Sequence, residues 1–317
     1  MMKTAFLFPG QGAQSVGMAS EILNAIPDSR AMFDKASQIV GYDVAKICLE
    51  GPEDLLNSTA VSQPAIFVVS AVILEQLRKS TPLGAITPLV TAGLSLGEYT
   101  ALYAAGAIGF EDTVKLVLKR GQAMQSAAEA ASGSMVSVIG LEDEDVRKLC
   151  EEAGAGRILK CANFNCPGQI AISGDKDACL RAVELAPGYG ALKAVELKVA
   201  GAFHTEMMSP AADALGRALA DADITIPTAT RIIANVDVQY YNSADAVRKG
   251  LVRQLVEPIR WQQCMEKLLA DGVEQFYEIG PGRVLTGLMK RINRKTKMVN
   301  ISSLDAIEQF KEQDVIA

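Results

Sequence analysis

The stretch Val90-Thr91-Ala92-Gly93-Leu94-Ser95-Leu96-Gly97-Glu98 reads as a short apolar strand that turns through Gly-x-Ser-x-Gly into a helix running from Gly97 toward Ala107. That succession is the context a nucleophile elbow needs. A serine at a tight strand-to-helix turn holds its hydroxyl clear of the backbone. Gly93 and Gly97 leave room where side chains would strike the neighbouring strand and helix. The helix start adds free N–H groups and a positive dipole end, both favourable to a developing oxyanion. A turn of small residues without chemistry carries the same short pattern, so the rest of the chain has to decide between the two.

Several classes are disfavoured at once. A chain of 317 residues allows roughly two domains, and 49% hydrophobic residues suffice for a sizeable core. The net charge of −6 argues against an extended nucleic-acid surface. The six cysteines form no C-x-x-C pair and no secretory signal frames them, which points to free thiols in a reducing cytoplasm. The first apolar run, Ala5 to Phe8, is too short for a signal peptide. The longest, Ala65 to Leu74, is too short to span a bilayer and reads as a core helix, so no membrane partner is expected. The single histidine, His204, removes most metal sites built on imidazole and leaves any histidine-dependent mechanism one candidate. No metal or cofactor is expected.

Along the chain, Thr4 to Phe8 reads as a buried strand running into the glycine-rich loop Pro9 to Gly17. Phosphate patterns fail there. The dinucleotide fingerprint needs glycine or alanine at Ser15, and the Walker pattern meets Met18-Ala19 after Gly17 instead of Lys-Ser or Lys-Thr. Gln63-Pro64 is expected to open an apolar helix reaching Arg78, Thr81 to Pro88 to be a loop, and Phe110 to Ala131 to be a long helix carrying Arg120. From Ser132 the texture changes to strand, helix, strand, strand, helix, strand, the split ferredoxin-like order. The expectation is an inserted α+β subdomain at 130–198 within a larger α/β domain of 1–129 and 199–317, with a loose tail from Asp305.

Ser95 needs a base within hydrogen-bond reach, and His204 is the one side chain here with an ordinary pKa near neutrality. A triad also needs a group that orients the imidazole. No acid stands out for that task, and a backbone carbonyl could perform it. Arg120 could hold a carboxylate by two parallel bonds; by composition alone it reads more readily as a solvated helix arginine.

These residues fall together with Phe8-Pro9-Gly10-Gln11-Gly12, Gln63-Pro64-Ala65, Arg120-Gly121-x-x-Met124-Gln125, Ala162-Asn163-x-Asn165-x-Pro167-Gly168-Gln169, Phe203-His204, Asn235-Val236 and Glu278-Ile279-Gly280-Pro281-Gly282. In that order they closely resemble the malonyl-CoA:acyl-carrier-protein transacylase family of type II fatty-acid synthesis, from Thr4 to about Ser302. The resemblance implies a hydrolase-like α/β domain with a parallel sheet core and a ferredoxin-like insert. It implies Ser95 as the residue that carries the malonyl ester and His204 as base and then acid. The N–H groups of Gln11 and Leu96 would form the oxyanion hole, and Arg120 would bind the malonate carboxylate. Gln63, Met124, Phe203 and the Asn163 loop would line the site. A backbone carbonyl from the Gln254-Leu255-Val256 stretch would orient the histidine. Malonyl-CoA and an acyl carrier protein are the implied partners of a monomer. Two positions depart from the family: Leu94 stands where histidine is usual, and Cys166 where serine is common. The cationic run Lys290 to Lys297 reads as a solvated helix end or as a docking surface for an acidic carrier or coenzyme phosphates. A serine thioesterase using the same pair, and a non-catalytic carrier-binding module, are the alternative readings.

Overall fold

The computed structural model describes residues 2–80 and 87–313, so most of the expected Thr81–Pro88 loop lies outside the described residues. The strands among them are, in chain order, β1 Thr4–Phe8, β2 Val90–Gly93, β3 Gly133–Ile139, β4 Leu159–Cys166, β5 Gln169–Asp175, β6 Lys193–Glu196, β7 Arg231–Ile232, β8 Gln275–Ile279 and β9 Lys297–Ile301.

They make two sheets. The first has the order β7-β2-β1-β8-β9, and every pairing in it is parallel. Helices cover both faces of a sheet of this kind, which is why β1, β2 and β8 are buried along their whole length. The register places Phe8 beside Gly93. The loop after β1 and the turn after β2 therefore leave the sheet at the same height, at the carboxyl ends where open α/β sheets form their crevices. The second sheet is antiparallel with the order β4-β5-β3-β6. Two helices, Asp143–Gly154 and Lys176–Leu185, pack on it around a separate core that includes Val136, Val146, Leu149, Ile170 and Ile172. This is the split ferredoxin-like arrangement. It is tied to the rest of the chain where Phe164 N–H donates to the Ile259 carbonyl (2.9 Å) and Ile259 N–H to that of Ala162 (2.8 Å).

Three local expectations are corrected. The apolar helix begins at Thr59 rather than at Gln63, runs to Ser80, and carries Pro64 inside it. Proline there leaves the Ala60 carbonyl without its helical N–H. The Phe110–Ala130 helix approaches this point through Gly121, where a side chain would press on the Thr59 and Ala60 backbone. The helix is also longer than its apolar run suggested: Thr59–Lys79 is long and apolar enough by composition to cross a bilayer, but 89% of its apolar window is buried within the protein. It is a core helix, held by packing. Residues Leu304–Gln313 form a helix instead of a loose tail. Ser303 Oγ accepts the Ala306 N–H at its start (3.2 Å), and Ile307 is fully buried. A helix at Val44–Glu50 was also not foreseen; the Asp43 side chain caps it.

The elbow depends on close backbone approach. A Cβ at Gly97 would collide with the Phe8 carbonyl, and one at Gly93 with the Gly97 backbone. Gly97→Ala is accordingly expected to lower stability by about 1–3 kcal/mol, read as a lower urea midpoint at unchanged slope. An unchanged midpoint would show that the turn relaxes without penalty.

Candidate active site

Ser95 sits at φ 52°, a left-handed conformation rare for a residue with a side chain. Two bonds from Asn235 hold it there. Asn235 Oδ1 accepts the Ser95 N–H (2.8 Å), and Asn235 Nδ2 donates to the Gly93 carbonyl (2.9 Å). The strap thus grips the residue before the turn and the nucleophile together.

The Ser95 hydroxyl lies 3.0 Å from His204 Nε2. On the far side of the ring, Nδ1 is 2.6 Å from the Gln254 carbonyl. A carbonyl only accepts, so Nδ1 carries the proton and Nε2 is the free base facing the serine. The carbonyl is available for a local reason. Gln254 lies in the last turn of the Ala244–Val256 helix, where carbonyls lack helical donors, and the residue four positions on is Pro258, which has no N–H to offer. His204 is itself left-handed at φ 61°, in a turn closed by the bond from Thr205 Oγ1 to the Ala202 carbonyl (2.8 Å). Burial, and then the charge of Arg120, lower its pKa to about 3, against the Gln254 carbonyl, which raises it.

Arg120 is not a solvated helix residue; it is 1% exposed. Its Nη1 donates to Gln63 Oε1 (2.8 Å), and its Nη2 to Gln254 Oε1 (2.9 Å) and Ser95 Oγ (3.0 Å). The guanidinium lies 5.5 Å from the centre of the Tyr99 ring, and its buried Nε has no hydrogen-bond partner among the described residues. Gln63 is fully buried and backs Arg120, with Nε2 on Met124 Sδ (3.4 Å); it does not reach the cavity wall.

A cavity of about 520 Å³ opens at this point between the two sheets, and Gln11, Leu96, Met124, Asn163 and Phe203 line it together with Ser95, Arg120 and His204. Asn163 comes from strand β4 at a register shift, not from a loop. Leu94 also faces the cavity and packs against the apolar cluster around Ile233 and Ile259. Gly12 N–H is taken by Gln14 Oε1 (2.8 Å), whereas among the described residues no acceptor takes the N–H of Gln11 or Leu96. Both are free to meet an oxyanion beside Ser95. No group of three or more His, Cys, Asp or Glu among the described residues is placed to hold a metal.

Sequence reasoning missed a second layer. Glu98, fully buried, accepts from Asn235 N–H (3.1 Å), Gln254 Nε2 (2.8 Å) and the Tyr241 hydroxyl. Burial pushes its carboxyl up to about 7, although those three bonds and Arg120 pull the other way. The Gln254 side chain was missed as well: besides Arg120 and Glu98 it reaches the Ser95 carbonyl (3.0 Å). An acidic residue directly after Gly-x-Ser-x-Gly was visible in the sequence, but its partners lie more than a hundred positions away.

A serine and a neutral imidazole at the carboxyl ends of a parallel sheet, with two free N–H groups alongside, define an α/β enzyme of serine acyl transfer. The chain belongs to the acyl transferase domain family, which matches residues 5–311. It is 40% identical over 309 residues to the malonyl CoA-acyl carrier protein transacylase of Bacillus subtilis (strain 168), covering 97% of this chain and 96% of that one. It is 42% identical over 292 residues to that of Escherichia coli (strain K12), covering 92% and 93%. Among solved structures, the malonyl CoA-acyl carrier protein transacylase of Coxiella burnetii superposes with a TM-score of 0.94 at 37% identity, covering 98% of both chains. A malonyl-transacylase in complex with a type II polyketide-synthase acyl-carrier protein gives 0.93 at 39%, covering 98% of this chain and 99% of the other.

The lowered pKa of His204 has a measurable sign. Between about 3 and the ordinary 6.5, the unfolded chain binds a proton that the folded protein refuses, so His204 makes stability rise with pH across that window and not above it. Glu98, raised from 4.5 to about 7, acts in the opposite sense between those values, because there the folded state keeps the proton. Subtracting the urea-unfolding free energy of His204→Gln from that of the parent isolates the imidazole. The difference is expected to climb from about pH 3 to 6.5 and then level. A difference flat throughout would mean that the ring is not held neutral.

Proposed function

We propose that this chain transfers the malonyl group from malonyl-CoA to the phosphopantetheine thiol of an acyl carrier protein through a malonyl ester on Ser95. The observation that carries the reading is the buried guanidinium of Arg120, 3.0 Å from the nucleophile, in a chain of the acyl transferase family. An acyl group ending in a carboxylate suits that position; the names of the relatives supply malonyl as the acyl group and the carrier as its destination.

The steps follow from the geometry. Ser95 Oγ attacks the thioester carbonyl and passes its proton to His204 Nε2. The oxyanion is met by the N–H groups of Gln11 and Leu96. Collapse breaks the C–S bond, and the departing thiolate takes the proton from Nε2. In the second half the carrier thiol gives its proton to Nε2 and its sulfur attacks the ester; Ser95 Oγ leaves and is reprotonated. Thioester to ester to thioester is nearly isoenergetic, so barrier lowering and water exclusion are the main tasks. Malonate on Arg120 also offsets the charge that lowers the His204 pKa, so the base strengthens as the acyl group is seated. An acetyl group would leave the arginine without that partner. Phe203, beside His204 in the cavity wall, crowds an α-methyl branch and favours malonyl over methylmalonyl.

In this reading residues 130–198 are an inserted subdomain supplying one wall of the site, within a catalytic body of 1–129 and 199–317. The carrier or the coenzyme phosphates meet a cationic groove lined by Lys290, Arg291 and Arg294. Its helix, Val284–Ile292, also sends Val284 and Leu288 to the cavity. The protein acts as a monomer in the cytoplasm; its six free, buried cysteines suit a reducing compartment.

Malonyl-CoA is expected to leave a malonyl adduct on the intact protein, located by mass spectrometry at Ser95 and absent in Ser95→Ala. Release of free malonate faster than transfer would instead favour the thioesterase. Arg120→Ala should reduce the preference for malonyl over acetyl by about 100-fold; a retained preference would refute the clamp. Lys290→Glu with Arg294→Glu should raise KM for the carrier or for malonyl-CoA, and unchanged kinetics for both would remove the groove from the account.

A further inference from the structure

We infer that Glu98 is a positioning residue for this reaction: it fixes the side-chain amide of Gln254 and, through that one residue, the relative placement of Ser95, His204 and Arg120. The inference rests on the acyl-transfer reading of the same site.

Glu98 opens the Gly97–Ala104 helix, where a carboxylate would ordinarily stay in solvent near the positive helix end. Here it turns inward and is fully buried. As a carboxylate it only accepts. Its three donors come from the Asn235 backbone, the Tyr241 hydroxyl and the Gln254 amide. All three lie in the segment that ends in the helix whose last turn orients the histidine. Glu98 therefore fastens the elbow helix to the His204-orienting helix.

Gln254 is the point where the pieces meet. Its main-chain carbonyl takes the His204 proton, its Nε2 spans the Ser95 carbonyl and Glu98 Oε2, and its Oε1 takes Arg120 Nη2. An amide group is nearly symmetric in shape and distinguishes its ends only by donors and acceptors. Glu98 and the Ser95 carbonyl demand the NH2 end, which leaves the oxygen for Arg120. With an apolar side chain at position 98, one of the two NH2 partners is lost, Asn235 N–H and the Tyr241 hydroxyl lose their acceptor, and the Gln254 side chain is free to shift. None of these atoms touches the acyl group, so the effect falls on alignment.

The experiment is a double-substitution cycle on the full-length protein with Glu98→Leu and Gln254→Leu, the latter keeping its backbone carbonyl. Two rates are read: steady-state malonyl transfer, and phosphonylation of Ser95 by a fluorophosphonate, which needs the Ser95–His204 pair but no malonate. Glu98→Leu is expected to lower kcat and the phosphonylation rate by about 100-fold, with KM for malonyl-CoA within about threefold of the parent. In the Gln254→Leu background the same change should lower neither rate by more than about threefold. Glu98→Gln should restore most of the rate, its amide oxygen replacing Oε2 and its NH2 facing the Tyr241 oxygen. Should Glu98→Leu fail to fold, Tyr241→Phe tests the same link, with an expected loss of about tenfold that vanishes in the Gln254→Leu background. Parent-like kcat in Glu98→Leu, or losses that multiply between the two sites, would overturn the inference. A parent that is phosphonylated with this Glu98 dependence yet transfers no malonyl would instead overturn the acyl-group assignment and leave the positioning role standing.

Discussion

One hydrogen bond, from His204 Nδ1 to the Gln254 carbonyl at 2.6 Å, sets the chemistry of the whole site. It decides which ring nitrogen bears the proton, and so makes Nε2 a base toward Ser95. A carboxylate in its place would also stabilise the imidazolium that forms during reaction. A neutral carbonyl does so more weakly, and burial, with Arg120 close by, holds the ring far on the neutral side. The chain arrives at this arrangement cheaply: a helix that ends at Val256, followed by a proline at 258, leaves the Gln254 carbonyl without a competing N–H. The folded backbone thus supplies the orienting group without burying a second charge beside the imidazole.

The remaining architecture serves to bring that carbonyl, the elbow and the free N–H groups of Gln11 and Leu96 to one place. Parallel pairing with Phe8 beside Gly93 sends the Gln11 loop and the Ser95 turn out at one level. β8 lies on the other side of β1 and delivers Glu278, whose buried carboxylate accepts the N–H groups of Leu285 and Thr286 at 2.8 and 2.9 Å. Those are first-turn donors of the helix that carries Leu288 to the cavity and Arg291 to the cationic groove. Arg291 in turn reaches Gln169 Oε1 (2.6 Å) and the Pro167 carbonyl (3.1 Å), so the helix end is pinned to the second sheet. The cavity mouth is therefore framed by elements from both sheets.

What could be read in the sequence was what is local. Apolar runs leading into glycine-rich turns marked β1 and β2, and alternation with two amphipathic helices marked the second sheet in its correct order. The elbow and the lone histidine were legible because so few residue types can do their chemistry. Arg120 was misjudged by composition because its burial depends on Gln63 and Gln254, both distant in the chain. Glu98, Asn235 and Tyr241 escaped for the same reason: nothing near Glu98 in the chain announces that its partners arrive from the segment beyond His204. The helix start at Thr59 was missed because proline usually opens a helix, whereas here packing through Gly121 tolerates it inside one.

In the reaction proposed above, the charge balance of the buried site would make its chemistry and its selectivity a single property. Arg120 is enclosed, yet its three hydrogen-bond acceptors, Gln63 Oε1, Gln254 Oε1 and Ser95 Oγ, are all formally neutral. Glu98 is the neighbouring acid, but its carboxylate is committed to Asn235, Gln254 and Tyr241 and is itself pushed toward neutrality by burial. A cation left in this state is expensive to bury, and a carboxylate entering the cavity relieves it. The same carboxylate would remove the Arg120 repulsion that adds to burial in keeping His204 a weak base. In the proposed reaction, recognition of the acyl terminus and activation of the nucleophile at its other end would act through one guanidinium, and a substrate without the terminal charge would forgo both.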